Sequence, residues 1–247
     1  MKIKIAQELG YFRNSLQRLA DPKRAEGEKR YLKSSLRHYG VSMPKLEKII
    51  RVWAEGHPEC SIDDAVKLSN LLWDSQWHEE KTIAVELLAY KAQNLEMRHL
   101  KIIEKMMREA KTWAHIDPIA ILLIGSIMEK DKKMLKRLPE WAEDDNFWVR
   151  RIAILSQVLQ FRKGKGNFTL FKKIVIPMLR EGADWSKEER FFIRKAIGWA
   201  LRELAPRRPE LVYDFLKTYH HQMSGLTFKE GSRKLPLELQ KNLKNNS

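Results

Sequence analysis

Apolar residues recur at the spacing of an α-helix along almost the whole chain, and no segment shows the alternating pattern of a β-strand. Residues that start or stop a helix divide this pattern into roughly a dozen segments of helix length. The sequence therefore predicts an all-α protein of antiparallel helices joined by short turns. The signals are Asp21-Pro22, Ser42-Met43-Pro44, His57-Pro58, Asp117-Pro118, Leu138-Pro139, Pro206 and Pro209, together with two capping boxes, Ser61 to Asp64 and Ser186 to Glu189.

A weak repeat is visible in the helical pattern, because a small residue recurs in the middle of helices at Ala84, Ala120, Ala153 and Ala196. The steps are irregular but lie near the ~40–47 residues at which HEAT and armadillo helix pairs repeat. Such pairs stack into a curved solenoid with a long concave surface. We therefore predict a single HEAT-like repeat domain over residues 1–247, with a basic concave face and a polar, frayed C-terminal segment at residues 231–247.

The chain is strongly basic, with 47 Lys and Arg residues against 32 Asp and Glu residues and a formal net charge of +15. Such an excess causes self-repulsion and is useful where phosphates must be neutralised, so nucleic acid is the expected partner. A membrane is the main alternative, but the longest apolar run, Ile119 to Met128, falls well short of the ~20 residues of a spanning helix. Because no signal peptide is visible either, we expect a cytoplasmic, DNA-associated protein.

The motifs of many enzyme classes are absent from the sequence. It contains no Gly-x-Gly-x-x-Gly, no His-Glu-x-x-His, no Gly-x-Ser-x-Gly and no zinc-deaminase signature. Its single cysteine, Cys60, excludes an internal disulfide and a multi-cysteine zinc site. The pair His220-His221 is more typical of a protein surface than of a metal site. We therefore expect neither a cofactor nor a bound metal.

Asp117 is the carboxylate that the sequence favours for chemistry. It precedes Pro118, which fits the first position of a helix, so Asp117 is predicted to be an N-cap at the positive end of a helix dipole. That position would keep the carboxylate ionised. Trp113 lies four residues earlier and could place an indole beside it. The alternative interpretation is that Asp117 only caps the helix.

The chain has eight tryptophans, and for any one of them packing in the core is the more common role. Several lie beside basic residues, however, and aromatic rings near cations suit contact with the sugars, bases and phosphates of nucleic acid. Trp148, Arg150, Arg194, Lys195 and Arg202 are therefore candidate DNA contacts. They belong to the segments Trp148-Val149-Arg150-Arg151, Arg190-Phe191-Phe192-Ile193-Arg194-Lys195 and Trp199-Ala200-Leu201-Arg202.

These segments resemble the AlkD family of DNA alkylation repair proteins. The resemblance is carried by residues 144–155, which read Asp-Asp-Asn-Phe-Trp-Val-Arg-Arg-Ile-Ala-Ile-Leu, and by residues 186–203. It extends more weakly to residues 29–33, Lys-Arg-Tyr-Leu-Lys, and to residues 40–44, Gly-Val-Ser-Met-Pro. The resemblance therefore covers most of the chain.

The resemblance implies a HEAT-like solenoid that excises N3- and N7-alkylated purines from double-stranded DNA. It implies that Asp117 is the catalytic aspartate and that Trp113 and Trp199 are active-site tryptophans. It also implies that Arg151 contacts a phosphate and that Tyr31 lies near the DNA. The chain departs from the family pattern around the aspartate. Where the family often reads Trp-Trp-Asp-x-Val-Asp, residues 112–117 read Thr-Trp-Ala-His-Ile-Asp.

The implied chemistry suits a lone carboxylate. Alkylation at N3 or N7 leaves the purine cationic and a good leaving group, so its departure develops oxocarbenium charge on the deoxyribose. Asp117 would stabilise that cation and orient the attacking water. The expected function is therefore that of a monofunctional glycosylase, acting as a monomer because its concave surface must admit DNA. The resemblance also implies capture of the lesion nucleotide without a base-specific pocket.

Three alternatives stay open at this point. The same scaffold could bind damaged or branched DNA without catalysis, or it could be a protein-interaction solenoid of the ordinary HEAT kind. Within the glycosylase hypothesis, Lys111 or Lys195 could act as a Schiff-base nucleophile.

Overall fold

The structure, a computed structural model, describes residues 3–182 and 184–245. Within these ranges the regular elements are helices, and β-type pairing occurs as an isolated bridge between Arg37 and Trp77. The predicted all-α fold is therefore confirmed. The chain divides into two compact units, Met1–Ile127 and Met128–Ser247. The single HEAT-like domain and its basic concave face stay predictions.

The first unit is built from helices joined by short turns, as the sequence predicts. Two short 3-10 helices, Ala92–Asn94 and Met97–His99, lead into its second half, and the boundary between the units falls within the last helix. The α-helices are α1 (Ile5–Arg18), α2 (Pro22–Leu32), α3 (Met43–Gly56), α4 (Ile62–Trp73), α5 (His78–Tyr90), α6 (Leu100–Glu109), α7 (Trp113–Pro118) and α8 (Gly125–Lys130).

Helix α5 forms the centre of the first unit, where it packs against α1, α3, α4 and α7. Its first turn carries Glu79 and Glu80, which are only 0% and 1% exposed. Buried carboxylates need hydrogen-bond donors, and the loop before α3 supplies them to Glu79. The backbone N–H groups of Tyr39, Gly40 and Val41 donate to its carboxylate at 2.9, 2.6 and 3.1 Å. The loop is thereby tied to the central helix.

Gly40 brings the same loop against the start of α2. Its φ is +80°, and a Cβ at this position would lie 2.1 Å from the Asp21 carbonyl oxygen. The Asp21 N–H donates to the Tyr39 carbonyl at 2.8 Å, and the Asp21 side chain accepts from the Arg24 N–H at 3.0 Å. Asp21 is therefore the N-cap of α2, with Pro22 in the first turn, which confirms the helix start predicted at Asp21-Pro22.

The helix that carries Asp117 begins earlier than the sequence predicts. Its N-cap is Thr112, whose hydroxyl accepts a hydrogen bond from the Ala114 N–H at 3.4 Å, and its first residue is Trp113. Asp117 therefore lies inside α7, and the prediction that it is the N-cap was wrong. Thr112 offers an N-cap of a favoured type, and the helical pattern continues unbroken past the proline.

Pro118 is accommodated within this helix instead of starting it. A proline lacks the N–H that would continue the α-helical ladder. Directly after it the helix widens into a π-helical segment, Ile119–Ile124, and then returns to α geometry in α8. The Ile119 N–H bonds to the carbonyls of His115 and Ile116. Single π turns inside α-helices are often found at functional sites.

The second unit is also helical. After the end of α8 it has a 3-10 helix, Lys132–Arg137, and a later one at His220–Gln222. Its long helix α13 packs against α10, α11, α12 and α15. The α-helices of this unit are α9 (Leu138–Ala142), α10 (Phe147–Leu155), α11 (Val158–Arg162), α12 (Phe168–Leu179), α13 (Lys187–Leu204), α14 (Pro209–Tyr219), α15 (Gly225–Ser232) and α16 (Leu237–Asn245).

The two predicted capping boxes differ in the structure. At the start of α13, the Glu189 N–H donates to the Ser186 hydroxyl at 3.1 Å and the Ser186 N–H donates to the Glu189 carboxylate at 2.8 Å, so this box is confirmed. At the start of α4, the Asp64 N–H donates to the Ser61 hydroxyl at 3.1 Å, but the Asp64 carboxylate accepts from that hydroxyl instead of from a backbone N–H.

The C-terminal segment predicted to fray contains α16, which ends at Asn245. Residues 246–247 lie outside the described residues, so fraying at the very end stays a prediction. Among the helices that the structure describes, none has the length and apolar character needed to cross a membrane.

Candidate functional site

The first unit brings together three of the residues that the sequence singled out. Trp113 and Asp117 are one turn apart on α7 and share a face of it, and both are half-buried. Tyr31, on α2, is 73% exposed, and its ring meets the Trp113 ring edge to face, with centroids 5.9 Å apart and planes at 89°. We call Tyr31, Trp113 and Asp117 the aromatic–carboxylate surface.

Basic side chains flank Tyr31 on its helix. Lys29, Arg30 and Lys33 are all exposed at the C-terminal end of α2. An exposed aromatic ring among cations suits a partner that presents phosphates beside sugars or bases. Exposed basic side chains therefore border the aromatic–carboxylate surface next to Tyr31.

His115 fixes the opposite side of α7. It is 1% exposed, and its ring stacks on His78 of α5 with centroids 4.6 Å apart. Its Nε2 lies 3.3 Å from both the Thr82 hydroxyl and the His78 carbonyl oxygen. Burial lowers the pKa of His115 to about 3, so the ring is neutral at physiological pH. The buried face of α7 is therefore anchored to the centre of the unit.

The stack continues beyond His78 into residues that the sequence analysis missed. The His38 ring lies 4.6 Å from the His78 ring and 11° from parallel to it, and the Glu28 carboxylate lies 3.5 Å from His38 Nδ1. Glu28 belongs to α2, His38 to the loop before α3, and His78 to α5. Because the three residues lie in separate segments of the chain, no short spacing motif connects them. Glu28, His38 and His78 also form a group, found among the described residues, in which one possible metal-ligand atom of each lies within 4.8 Å of the others.

In the second unit, the two candidate tryptophans differ in exposure. Trp199 is half-buried on α13. Trp148 is only 7% exposed, and its ring packs against Phe147 at 4.4 Å and Phe192 at 4.8 Å. Trp148 therefore packs in the core, whereas Trp199 keeps part of its surface accessible. Contact of either residue with DNA stays a prediction.

Arg150 and Arg151 are buried, at 7% and 4% exposed. Arg150 donates to the Asp144 carbonyl at 2.6 Å and to the Glu189 carboxylate at 2.6 Å. Arg151 donates to the Phe192 carbonyl at 2.6 Å. Both guanidinium groups therefore support the packing of α10 against α13, and their predicted contact with DNA stays a prediction.

The other predicted DNA contacts of this unit are half-buried and paired with carboxylates. Arg194 donates to Glu181 at 2.8 Å, Lys195 donates to Glu230 at 3.2 Å, and Arg202 also donates to Glu230. Sequence reasoning saw the basic and aromatic neighbours of these residues but not the acidic partners, which lie far away along the chain. Their contact with DNA stays a prediction as well.

A known protein family matches most of this chain. The sequence profile of a family described as "DNA alkylation repair enzyme" matches residues 12–235. Among curated proteins, no match was found.

Several solved structures share the fold. A predicted DNA alkylation repair enzyme from Enterococcus faecalis is 22% identical, with a TM-score of 0.72 over 88% of this chain and 97% of that chain. AlkD2 from Streptococcus mutans is 18% identical, with a TM-score of 0.56 over 78% of this chain and 90% of that chain. The smu.31 protein from Streptococcus mutans UA159 is 18% identical, with a TM-score of 0.57 over 77% and 93%.

Proposed function

Because the chain belongs to the DNA alkylation repair enzyme family, we propose that it is a DNA glycosylase that removes cationic N3- or N7-alkylated purines from double-stranded DNA. The observation that carries the proposal is the aromatic–carboxylate surface, in which Asp117 shares a helix face with Trp113 beside the exposed ring of Tyr31. The AlkD-like resemblance assigns these same three residues to the active site and its DNA contacts.

The reaction needs stabilisation of positive charge on the sugar more than activation of the base. An alkylated purine already carries the charge that makes it a good leaving group. As the N-glycosidic bond breaks, the deoxyribose gains oxocarbenium character, and the Asp117 carboxylate would stabilise it and orient the incoming water. Water adds to C1′ and gives up a proton, the purine leaves neutral, and an abasic site remains. No cofactor takes part in this scheme.

The aromatic residues would hold the lesion nucleotide. Trp113 would pack on the deoxyribose beside Asp117, and Tyr31 would contact the neighbouring DNA backbone. Trp199 is proposed as a further aromatic contact, on the resemblance of residues 186–203. Lys29, Arg30 and Lys33, together with the overall charge of +15, would neutralise phosphates of the duplex. Arg151 and the other paired basic residues of the second unit would hold the helices of that unit in place. They would also contact DNA phosphates directly.

The test is release of the alkylated base. Duplex DNA carrying one N7-methylguanine is incubated with excess protein, with undamaged duplex as the control, and free base and abasic DNA are quantified. We expect release from the alkylated duplex alone, from a monomeric protein and without any added cofactor. Binding of the alkylated duplex without release would instead favour the non-catalytic DNA-binding alternative. A covalent DNA adduct after borohydride treatment would exclude the monofunctional mechanism.

A first prediction concerns Tyr31. Replacing Tyr31 by Ala is expected to weaken binding of the alkylated duplex roughly fivefold, equivalent to about 1 kcal/mol of lost aromatic contact. Tyr31→Phe keeps the ring and should bind like the unaltered protein. Tyr90→Ala is the matched control, because Tyr90 is also an exposed tyrosine of the first unit, at 50% exposed. Fluorescence anisotropy at fixed salt measures the affinities. Equal affinity of the Tyr31→Ala and Tyr90→Ala proteins would remove Tyr31 from the DNA-binding surface.

A further inference from the structure

A group of polar side chains in the first unit, two of them buried and one half-buried, takes no part in the proposed reaction. It consists of Glu28 on α2, His38 in the loop before α3 and His78 at the start of α5. The His38 side chain is 1% exposed, and His78 is 5% exposed. One possible ligand atom from each of the three residues lies within 4.8 Å of the other two. Three segments of the chain therefore converge at one buried point.

Two buried nitrogens of this group, His38 Nε2 and His78 Nδ1, have no hydrogen-bond partner among the described residues. Glu28 Oε2 and His38 Nδ1 lie 3.5 Å apart, as a long ion pair that falls short of a good hydrogen bond. Buried side-chain nitrogen and oxygen atoms are nearly always paired with protein, water or an ion, because leaving them unpaired is costly. The possible ligand atoms of the three residues lie within 4.8 Å of one another, so a single bound species could satisfy the unpaired nitrogens together.

We propose that Glu28, His38 and His78 form a binding site for Zn²⁺. Two imidazole nitrogens and one carboxylate oxygen are a ligand set that holds zinc in proteins and leaves its fourth position open. His78 offers a ligand atom from geometry alone, because its Nδ1 is buried and has no hydrogen-bond partner among the described residues.

One ring must turn for the three ligands to meet an ion. The His38 and His78 rings are 11° from parallel, and ring lone pairs lie in the ring planes, so the two sets of lone pairs point in similar directions. His78 lies between His38 and His115, with ring centroids 4.6 Å away on either side. The His38 ring stacks on His78 alone among the rings of this group, and rotation about its Cβ–Cγ bond would break one long contact, that of Nδ1 with Glu28 Oε2 at 3.5 Å. His38 is therefore the ligand that turns.

A neighbouring residue orients Glu28. Arg24 donates to Glu28 Oε1 at 3.2 Å, which leaves Glu28 Oε2 directed towards His38. Hydrogen bonds of this kind around a metal site fix the ligands in place. Glu28 also lines an open cleft of about 570 Å³ beside Tyr31, which gives an ion a route from solvent. A bound ion would join α2, which carries Tyr31, to α5.

The experiment measures zinc binding by the full chain, stripped of metal with EDTA and then dialysed. The background variant is His220→Gln with His221→Gln, which removes the consecutive histidine pair near the end of the chain as a competing zinc ligand. Isothermal titration with ZnCl₂ is expected to show one ion bound per chain and to raise the melting temperature. Titration with CoCl₂ is expected to give the visible absorption of a tetrahedral site with nitrogen and oxygen ligands.

Two ligand variants and one matched control decide the proposal. Glu28→Gln and His38→Gln are each expected to lower zinc affinity at least ~10–100-fold, while Glu26→Gln, on the same helix but exposed, should bind normally. Circular dichroism verifies that each variant is folded; if the His38 variant is not, the Glu28 variant decides alone. A folded parent that binds no zinc at micromolar concentrations, or a Glu28→Gln protein that binds zinc unchanged, would overturn the proposal. Because binding is read without DNA, its failure is distinguishable from failure of the glycosylase proposal.

Discussion

At equal occupancy of the alkylated duplex, Asp117→Asn is expected to release base at about one hundredth of the rate of the unaltered protein, or less. The substitution keeps the size and shape of the side chain but removes the negative charge that would stabilise the oxocarbenium-like sugar. The measurement is single-turnover release of N7-methylguanine, with protein in excess and occupancy verified by anisotropy. Binding should change little, because Asp117 would act on the charge that develops during the reaction.

Asp184→Asn is the matched control for this experiment, since Asp184 is an exposed aspartate of the second unit. It should leave the rate of release unchanged. If Asp117→Asn reacts as fast as this control at the same occupancy, Asp117 is not the catalytic carboxylate, even if release itself is observed.

The second large effect is on stability. Glu79→Ala is expected to lower the free energy of unfolding of the first unit by about 3–5 kcal/mol, because each buried N–H left without an acceptor costs about 1–3 kcal/mol. Three such groups, those of Tyr39, Gly40 and Val41, would lose their partner. Urea unfolding followed by tryptophan fluorescence measures the change. Glu79→Gln keeps one acceptor oxygen, so its free energy of unfolding should lie between those of the unaltered protein and of Glu79→Ala.

The control for this prediction is Glu55→Ala, which removes an exposed glutamate from α3. A surface substitution of this kind should change stability by no more than about 0.5 kcal/mol. Equal unfolding midpoints for Glu79→Ala and Glu55→Ala would show that the loop before α3 does not depend on the buried carboxylate.

Local sequence patterns predicted the helices well, because caps and prolines act through neighbouring residues. The starts at Asp21-Pro22 and at Ser186 are confirmed for this reason. The same local reasoning was wrong at Asp117, since a proline preceded by an aspartate fits a helix start, while the π-helical turn that accommodates Pro118 leaves no comparable signal in the sequence.

The candidate site was harder to predict because its partners are distant in the chain. The Tyr31 and Trp113 rings come into contact because of how α2 packs. The spacing of residues along the sequence does not show this packing. The carboxylates that pair with Arg194 and Lys195 were invisible for the same reason. The stack of His38, His78 and His115 escaped notice because each histidine stands alone in its own segment.

The π-helical segment Ile119–Ile124 also has a consequence for the evolution of this helix. A π turn contains one residue more than the α turn it replaces, so it behaves as a single-residue insertion stored inside the helix. Deleting one residue there would restore an α-helix with the following residues at nearly the same rotation, because the π turn holds one residue more than an α turn for about the same rotation. Deleting one residue from the α-helical parts on either side would instead rotate the residues that follow by about 100°. In α8 such a rotation would turn the buried Ile127 and Met128 out of the core. Ile119–Ile124 is therefore the stretch of this helix in which a change of one residue in length disturbs the packing least.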